Sequence, residues 1–267
     1  MLRDITLGQY YQADSKIHKL DPRVKILSVF IYIVMLFVCD SFIAYAFSAL
    51  ALAMVICISK VPFKYIIRGL RAVFVLMMIS ALFNAFFTPG KIVFEFYFIK
   101  ITQEGLIKTI QIGIRFVLII ISSSMLTLTT TPTNLTDGLE KSLGFLNCIK
   151  IPVHEIAMMM SIALRFIPIL MEETNKIIKA QTARGADFET GGIIKKAKSM
   201  IPILIPLFIS ALKRANDLAT AMDARCYCGG KGRTKMYPLK YKSRDYAAYL
   251  LLGLFIAVLI VEKIFVG

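Results

Sequence analysis

The sequence predicts an all-α membrane protein with five transmembrane helices and a cytoplasmic domain of about three amphipathic helices. Three observations carry that prediction. The 267 residues are 57% hydrophobic and only 18% charged, with a mean hydropathy of +0.70, an apolar share above that of ordinary soluble domains. The apolar residues come in long, almost uncharged runs of the kind that lie in lipid. Lys and Arg are concentrated in alternate connections between those runs. Together these exclude a soluble globular protein, a disordered chain and a small disulfide-stapled module.

The elements follow in order. Residues 24–39 are apolar apart from Lys25 and make the first span. A second run, 42–59, follows after only Asp40 and Ser41. The first run therefore reads as an uncleaved transmembrane helix, and the two as a tight helical hairpin. Residues 60–71 carry Lys60, Lys64, Arg68 and Arg71 and no acid; 72–88 is the third span, closed by Pro89-Gly90. Residues 91–104 are short and aromatic, with Phe94, Phe96, Tyr97 and Phe98, and fit an interfacial segment. The fourth span, 106–131, ends in a hydroxyl-rich stretch from Ser122 to Thr131, and the fifth, 246–260, precedes Glu262 and Lys263.

Residues 132–245 differ: they hold 18 Lys+Arg and 10 Asp+Glu, and their apolar residues recur three or four apart. In 155–184, positions such as Ile156, Met160, Ile167, Leu170 and Ile177 form one stripe on a helix of up to about 45 Å. Residues 199–225 repeat the pattern with Ile201, Leu204, Phe208, Leu212 and Leu218, and 133–147 reads as a shorter amphipathic helix. Pro168, Pro202 and Pro206 are expected to kink or start these helices, and Gly191-Gly192 and 229–232 to break them. The expected division is 1–131 with the first four spans, 132–245 as the cytoplasmic domain, and 246–267 as the last span.

Charge sets the expected orientation. The first 25 residues hold five Lys+Arg, 60–71 four and 132–245 eighteen, together 27 of 32. The connections at 39–41 and 88–105 hold two bases and three acids. The N-terminus and 132–245 are therefore expected in the cytoplasm of a multi-pass plasma-membrane protein, with the C-terminus outside. The net charge of +15 is then mainly an orientation signal. No nucleic-acid partner is expected, and the bilayer is the first partner.

Catalytic signatures are thin. The two histidines, His18 and His154, lack HExxH spacing, and Gly229-Gly230-Lys231-Gly232 lacks that of a phosphate-binding loop. ATP hydrolysis by this chain is not expected. Glu172-Glu173 resembles the paired glutamates of intramembrane prenyl-protein proteases, without the downstream Arg and intramembrane histidines of that chemistry; a solvated helix face accounts for it. Five cysteines, with no CxxC and one CxC at Cys226 and Cys228, give no disulfide framework and no metal or cofactor site. Arg115, inside the fourth run, either faces the bundle interior and pairs there or snorkels outward. An intramembrane lipid- or peptide-processing enzyme would need clustered His, Asp and Glu in the spans. A self-contained carrier would need inverted repeats with broken membrane helices. The spans nearly lack the first, and the only repeat lies in 132–245.

That repeat is informative. Residues 175–185 align with 216–226 at an offset of 41 without a gap, matching Asn175 with Asn216, Ala180 with Ala221, Ala183 with Ala224 and Arg184 with Arg225. Two readings stand: ordinary C-terminal helix caps, or helix tips whose small residues let an Arg fork enter a partner's groove. Two copies in register favour the second. Charge also inverts between the copies, Glu172-Glu173 falling opposite Lys213-Arg214, so crossing helices can pair there, weakly if exposed.

Further motifs lie along the chain: Gly8-Gln9-Tyr10; the stretch from Ser15 to Lys25, with His18, Asp21, Pro22 and Arg23; Leu126 to Pro132; Asp137-Gly138-Leu139-Glu140; and Leu164-Arg165-Phe166-Ile167-Pro168. With Ala183-Arg184-Gly185 and Ala224-Arg225-Cys226, in this order and spacing, nearly the whole chain resembles the transmembrane T component of energy-coupling factor (ECF) vitamin and metal importers. That family carries Ala-Arg-Gly twice; here the second copy has Cys226 in place of glycine. The resemblance implies two ABC-type ATPase subunits that bind ATP and Mg themselves. One would receive Ala183, Arg184 and Gly185, the other Ala224, Arg225 and Cys226. It implies a membrane-embedded substrate-binding (S) subunit, no cofactor on this chain, and ATP-driven movement of the long helices that reorients that subunit to release a vitamin or other micronutrient inside. An exposed apolar stripe with Met158, Met159 and Met160 would suit a surface that accepts several partners. A dedicated metal-importer subunit is the close variant.

Overall fold

The computed structural model describes residues 10–87, 92–96, 99–186, 188, 192–230, 236 and 238–266. Among them are helices α1 (Pro22–Val38), α2 (Phe42–Ser59), α3 (Phe63–Phe87), α4 (Gln103–Thr129), α5 (Pro132–Ser142), α6 (Val153–Ala183), α7 (Ile193–Asp223) and α8 (Ser243–Val266). The protein is an all-α membrane protein apart from one short hairpin. Helices occupy all five apolar runs. By length and hydropathy, α2, α4, α6 and α8 each suffice to cross a membrane. α6 joins this group through its apolar first half, although the charge distribution led to the expectation that it lies outside the membrane. α1, at 17 residues, is shorter than any of them.

Local chemistry sets the helix starts. Asp21 caps α1 by accepting the Arg23 N–H, with Pro22 in the first turn, where a missing N–H costs nothing. Ser41 caps α2 from the two-residue break, and Thr102 caps α4 through Gly105 N–H at 3.1 Å. Within the aromatic segment, β1 (Ile92–Phe96) pairs antiparallel with β2 (Ile99–Thr102); Tyr97 and Phe98 lie outside the described residues. The amphipathic helix expected at 133–147 stops at Ser142, and a 3-10 turn, Gly144–Ile149, follows.

By contacts the chain divides into two compact units: Gly8–Ser142 with Leu239–Gly267, and Leu143–Pro238. The first holds the core. Tyr32, Leu36, Tyr45, Leu52, Leu118, Leu128, Phe255 and Leu259 pack there from α1, α2, α4 and α8. Phe255 stacks on Tyr32 and Phe47, and the Tyr32 hydroxyl donates to the Ser48 carbonyl at 3.1 Å. Helix α5 lies on α1 at Gly138, where a Cβ would stand 3.0 Å from Pro22 Cβ and from Ile26 Cδ1. The second unit comprises the 3-10 turn, α6 and α7.

Candidate functional site at two helix tips

α6 and α7 are both 31 residues long and both run through their prolines. Pro206 lacks the N–H that would bond the Pro202 carbonyl, and Gln181 Nε2 of α6 comes within 3.5 Å of that carbonyl. The α7 start expected near 199 therefore lies at Ile193: the two prolines modify the helix rather than begin it. Arg214 donates to Glu173 at 3.0 Å, the pair suggested by the charge inversion. As α6 advances from Glu173 to Gln181, its partner on α7 recedes from Arg214 to Pro202, so the helices run in opposite directions.

Both helices end in the same cap. At the end of α6, Gly185 N–H bonds Thr182 O at 2.9 Å and Ala186 N–H bonds Gln181 O at 3.0 Å. At the end of α7, Cys226 N–H bonds Asp223 O at 2.9 Å and Tyr227 N–H bonds Met222 O at 3.1 Å. These are the paired bonds of a Schellman motif, which needs a left-handed residue after the cap. Gly185 supplies it at φ 88° and Cys226 at φ 55°. Replacement of the second glycine by Cys226 thus leaves the backbone path intact. Arg184 and Arg225 occupy the same position, one residue before the left-handed turn, and both are exposed. Ala183, Gly185, Ala224 and Cys226 are exposed beside them.

The contact between the helices obeys the same register. Glu173 and Arg214 are separated by 41 residues, the offset of the two motifs, so α6 and α7 meet at equivalent positions. Each Arg tip lies eleven residues beyond its own member of the pair, ~16 Å along the helix at 1.5 Å per residue. The loop after the second tip is fixed close to the start of α6. A Cβ on Gly230 would lie 2.3 Å from His154 Cδ2, so a side chain there would have to displace the His154 ring. That contact gives Gly230 a packing role where the sequence suggested only a break. Among the described residues no group of three or more His, Cys, Asp or Glu is placed to hold a metal ion.

A family model described as "Cobalt transport protein" (CbiQ) matches residues 13–236, from before α1 to beyond both tips. The "Energy-coupling factor transporter transmembrane protein EcfT" of Clostridium kluyveri is 52% identical over 269 residues, covering 100% of both chains. The EcfT of Lactococcus lactis subsp. cremoris is 47% identical over 91% of this chain and 92% of its own. That of Bacillus subtilis is 43% identical over 92% and 93%. The chain belongs to the CbiQ/EcfT family. As an EcfT-family chain it is the transmembrane component of a multi-subunit ECF transporter, and its part is transport, not catalysis.

Other EcfT-like motifs gather in the membrane unit. The stretch before α1 is a knot of polar bonds. His18 Nδ1 lies 2.7 Å from Ser15 Oγ, and His18 Nε2 lies 3.0 Å from the Tyr11 carbonyl. Burial holds the His18 imidazole below its ordinary range, while the Tyr11 carbonyl pulls the other way. Lys25, buried, donates to His18 O at 3.1 Å and Thr129 O at 2.9 Å, joining this stretch to the hydroxyl-rich end of α4. Asp245 of α8 accepts the Asp21 N–H at 2.9 Å and the Lys242 N–H at 2.7 Å. Arg23 pairs with Asp21 and lies over the Tyr241 ring at 4.0 Å. Sequence reasoning noted Lys25 at the edge of an apolar run and at the end of a family motif without giving it a role, and it passed over Asp245. Arg115 pairs with Asp40 in the α1–α2 turn and with the Tyr45 hydroxyl. The Arg115 side chain is 17% exposed, while that of Asp40 stays open at 79%.

Proposed function

We propose that this T component joins two ABC-type ATPase subunits to a membrane-embedded substrate-binding subunit, with Arg184 seated in a groove of one ATPase and Arg225 in the other. The observation that carries the reading is the pair of matching tips. Every bond of the two caps is between main-chain atoms, so capping accounts for the left-handed residue but gives the Arg side chain no task. Two exposed guanidinium forks at equal distances from one crossing suit two similar partners, and each fork can engage carboxylates or carbonyls.

ATP and Mg belong to the ATPases, and this chain contributes neither cofactor nor metal. The N-terminus and the α6–α7 segment lie on the cytoplasmic side of the plasma membrane with the C-terminus outside, in keeping with the distribution of Lys and Arg. Closure of the ATPases on ATP moves the two tips. Because α6 and α7 touch at matching positions, that displacement turns one helix against the other, and the substrate-binding subunit follows, releasing a vitamin or other micronutrient inside. Exposed Met159, Met160, Leu204, Phe208 and Leu212 provide adaptable apolar surface for that subunit. Cargo is chosen by the substrate-binding subunit, and a cobalt system is one of the cargo classes this arrangement serves.

The test is capture of ATPase subunits by tagged protein in detergent, comparing wild type, Arg184→Ala, Arg225→Ala and the double variant. Loss of charge-assisted hydrogen bonds of about 2 kcal/mol per tip lowers retention roughly tenfold or more for each single change. The double variant should lose both ATPases. Full retention by the double variant would reduce the tips to caps.

A further inference from the structure

The two tips differ in one chemical respect. Their caps have the same bonds and the same Arg position, but the left-handed residue is Gly185 in one and Cys226 in the other. Cys228 follows two residues later, and both thiols are free and exposed. We propose that the Cys226–Cys228 pair is a thiol-modification site, at which exchange with a low-molecular-weight disulfide disables the Arg225 tip and leaves the Arg184 tip working. This rests on the reading of both Arg tips as ATPase joints.

The chemistry is thiol–disulfide exchange. The Cys226 thiolate attacks one sulfur of the disulfide RSSR. The S–S bond of RSSR breaks, a Cys226–S–S–R bond forms, and the departing RS⁻ takes up the proton that Cys226 gave up. RSSR is the oxidant, and its two electrons leave on RSH. Residues two apart have Cα atoms within ~7 Å by chain length alone, close to the span of a disulfide. The Cys228 thiolate is thus placed to attack Cys226 Sγ in turn, release the second RSH and close a Cys226–Cys228 bond. A free thiol reverses either product. Cys226 directly follows Arg225 in the chain, so an adduct lies beside the guanidinium that must enter a groove. If the adduct carries carboxylates, these also compete for that guanidinium. The glycine tip has no counterpart of this chemistry, so one joint is redox-addressable and the other is not.

The experiment uses the full-length protein in detergent and oxidised glutathione as the probe. The protein is treated alone, freed of reagent, mapped by mass spectrometry and then offered the ATPase subunits. The expected map shows a glutathionyl group on Cys226 or a Cys226–Cys228 disulfide. ATPase retention should then fall to the level of untreated Arg225→Ala, and dithiothreitol should restore it. Cys226→Gly reproduces the residue of the first tip and removes the attacking thiol, so its retention, whatever the untreated level, should be the same with and without the probe. Cys148→Ser and Cys57→Ser should remain as sensitive as wild type. Protein already bound to its ATPases should react more slowly at Cys226, because the joint covers it.

Absence of Cys226 modification would overturn the proposal. So would modified Cys226 with unchanged retention, or a Cys226→Gly variant that stays sensitive. If untreated Arg225→Ala itself binds as wild type does, the joint reading fails, a result separable from failure of the thiol site.

Discussion

The membrane unit and the α6–α7 unit are both helical, yet they spend their apolar residues differently. In the first, α1, α2, α4 and α8 share one continuous core, and buried polar groups tie its ends together: Lys25 to two carbonyls, Asp245 to two backbone N–H groups. In the second, buried hydrophobic side chains among the described residues are few: Val153, Ala157 and Ile203. Ile201, Leu204, Ile205, Phe208 and Leu212 stay exposed along α7. The first unit also exposes large apolar side chains, Phe30, Phe37, Leu50 and Leu250 among them, but these suit lipid and surround a core of its own, as in a scaffold. A unit that leaves an apolar stripe open and ends in two exposed Arg tips is completed by other chains. The contrast is what the proposed function requires of the second unit, which there serves as an adapter.

The comparison breaks first, and with the largest effect, if the membrane unit does not depend on its polar ties. Lys25→Met keeps the aliphatic stem but removes the donor to His18 O and Thr129 O. Leaving buried carbonyls without this partner should cost about 3 kcal/mol, read as a fall in the denaturant midpoint of the purified protein. An unchanged midpoint would mean that these carbonyls find other partners and the knot is ornamental to stability. Next comes Gly138→Val. Its Cβ would meet Pro22 and Ile26 at 3.0 Å, so α5 must move off α1 at a cost of about 2 kcal/mol.

The same contrast explains what was legible in the sequence. The five apolar runs fall on helices because lipid imposes length and composition on them. The α6–α7 pairing was legible because a repeat and an inverted charge survive at fixed offset, and Glu173 does meet Arg214. The β1–β2 hairpin was not legible: five- and four-residue strands are too short to show alternation among aromatics. The start of α7 was misread because Pro202 looks like a helix start. Only tertiary context, with Gln181 reaching toward the Pro202 carbonyl, shows that the helix continues. At the candidate site, the Arg pair could be read from the repeat. The left-handed backbone at Cys226 could be inferred only by trusting the repeat over the residue's own preference.

That last point sharpens the comparison of the two tips. Gly185→Ala forces a side chain into φ 88° and should cost about 1 kcal/mol. Cys226→Gly removes the same penalty at φ 55° and should gain up to about 1 kcal/mol. Amide hydrogen exchange across the last turns of α6 and α7 reads both effects locally. Opposite signs are expected from the shared cap. Equal signs would show that the two ends are held differently despite their matching bonds.

The smallest effect falls at the crossing itself. The Glu173 and Arg214 side chains are 29% and 39% exposed, so solvent screens them and the pair should contribute at most about 1 kcal/mol. Glu173→Gln and Arg214→Gln should each cost less than that, and the double change should cost little more than either single one. Exchanging the charges, Glu173→Arg with Arg214→Glu, should restore the wild-type value, because the pairing depends on matched positions and not on which helix carries which sign. A double-mutant cycle on the stability of the purified protein measures the coupling directly. A coupling above about 2 kcal/mol would mean a dry, tightly packed crossing. The α6–α7 unit would then have a core of its own, and its standing as an adapter would have to rest on the Arg tips alone.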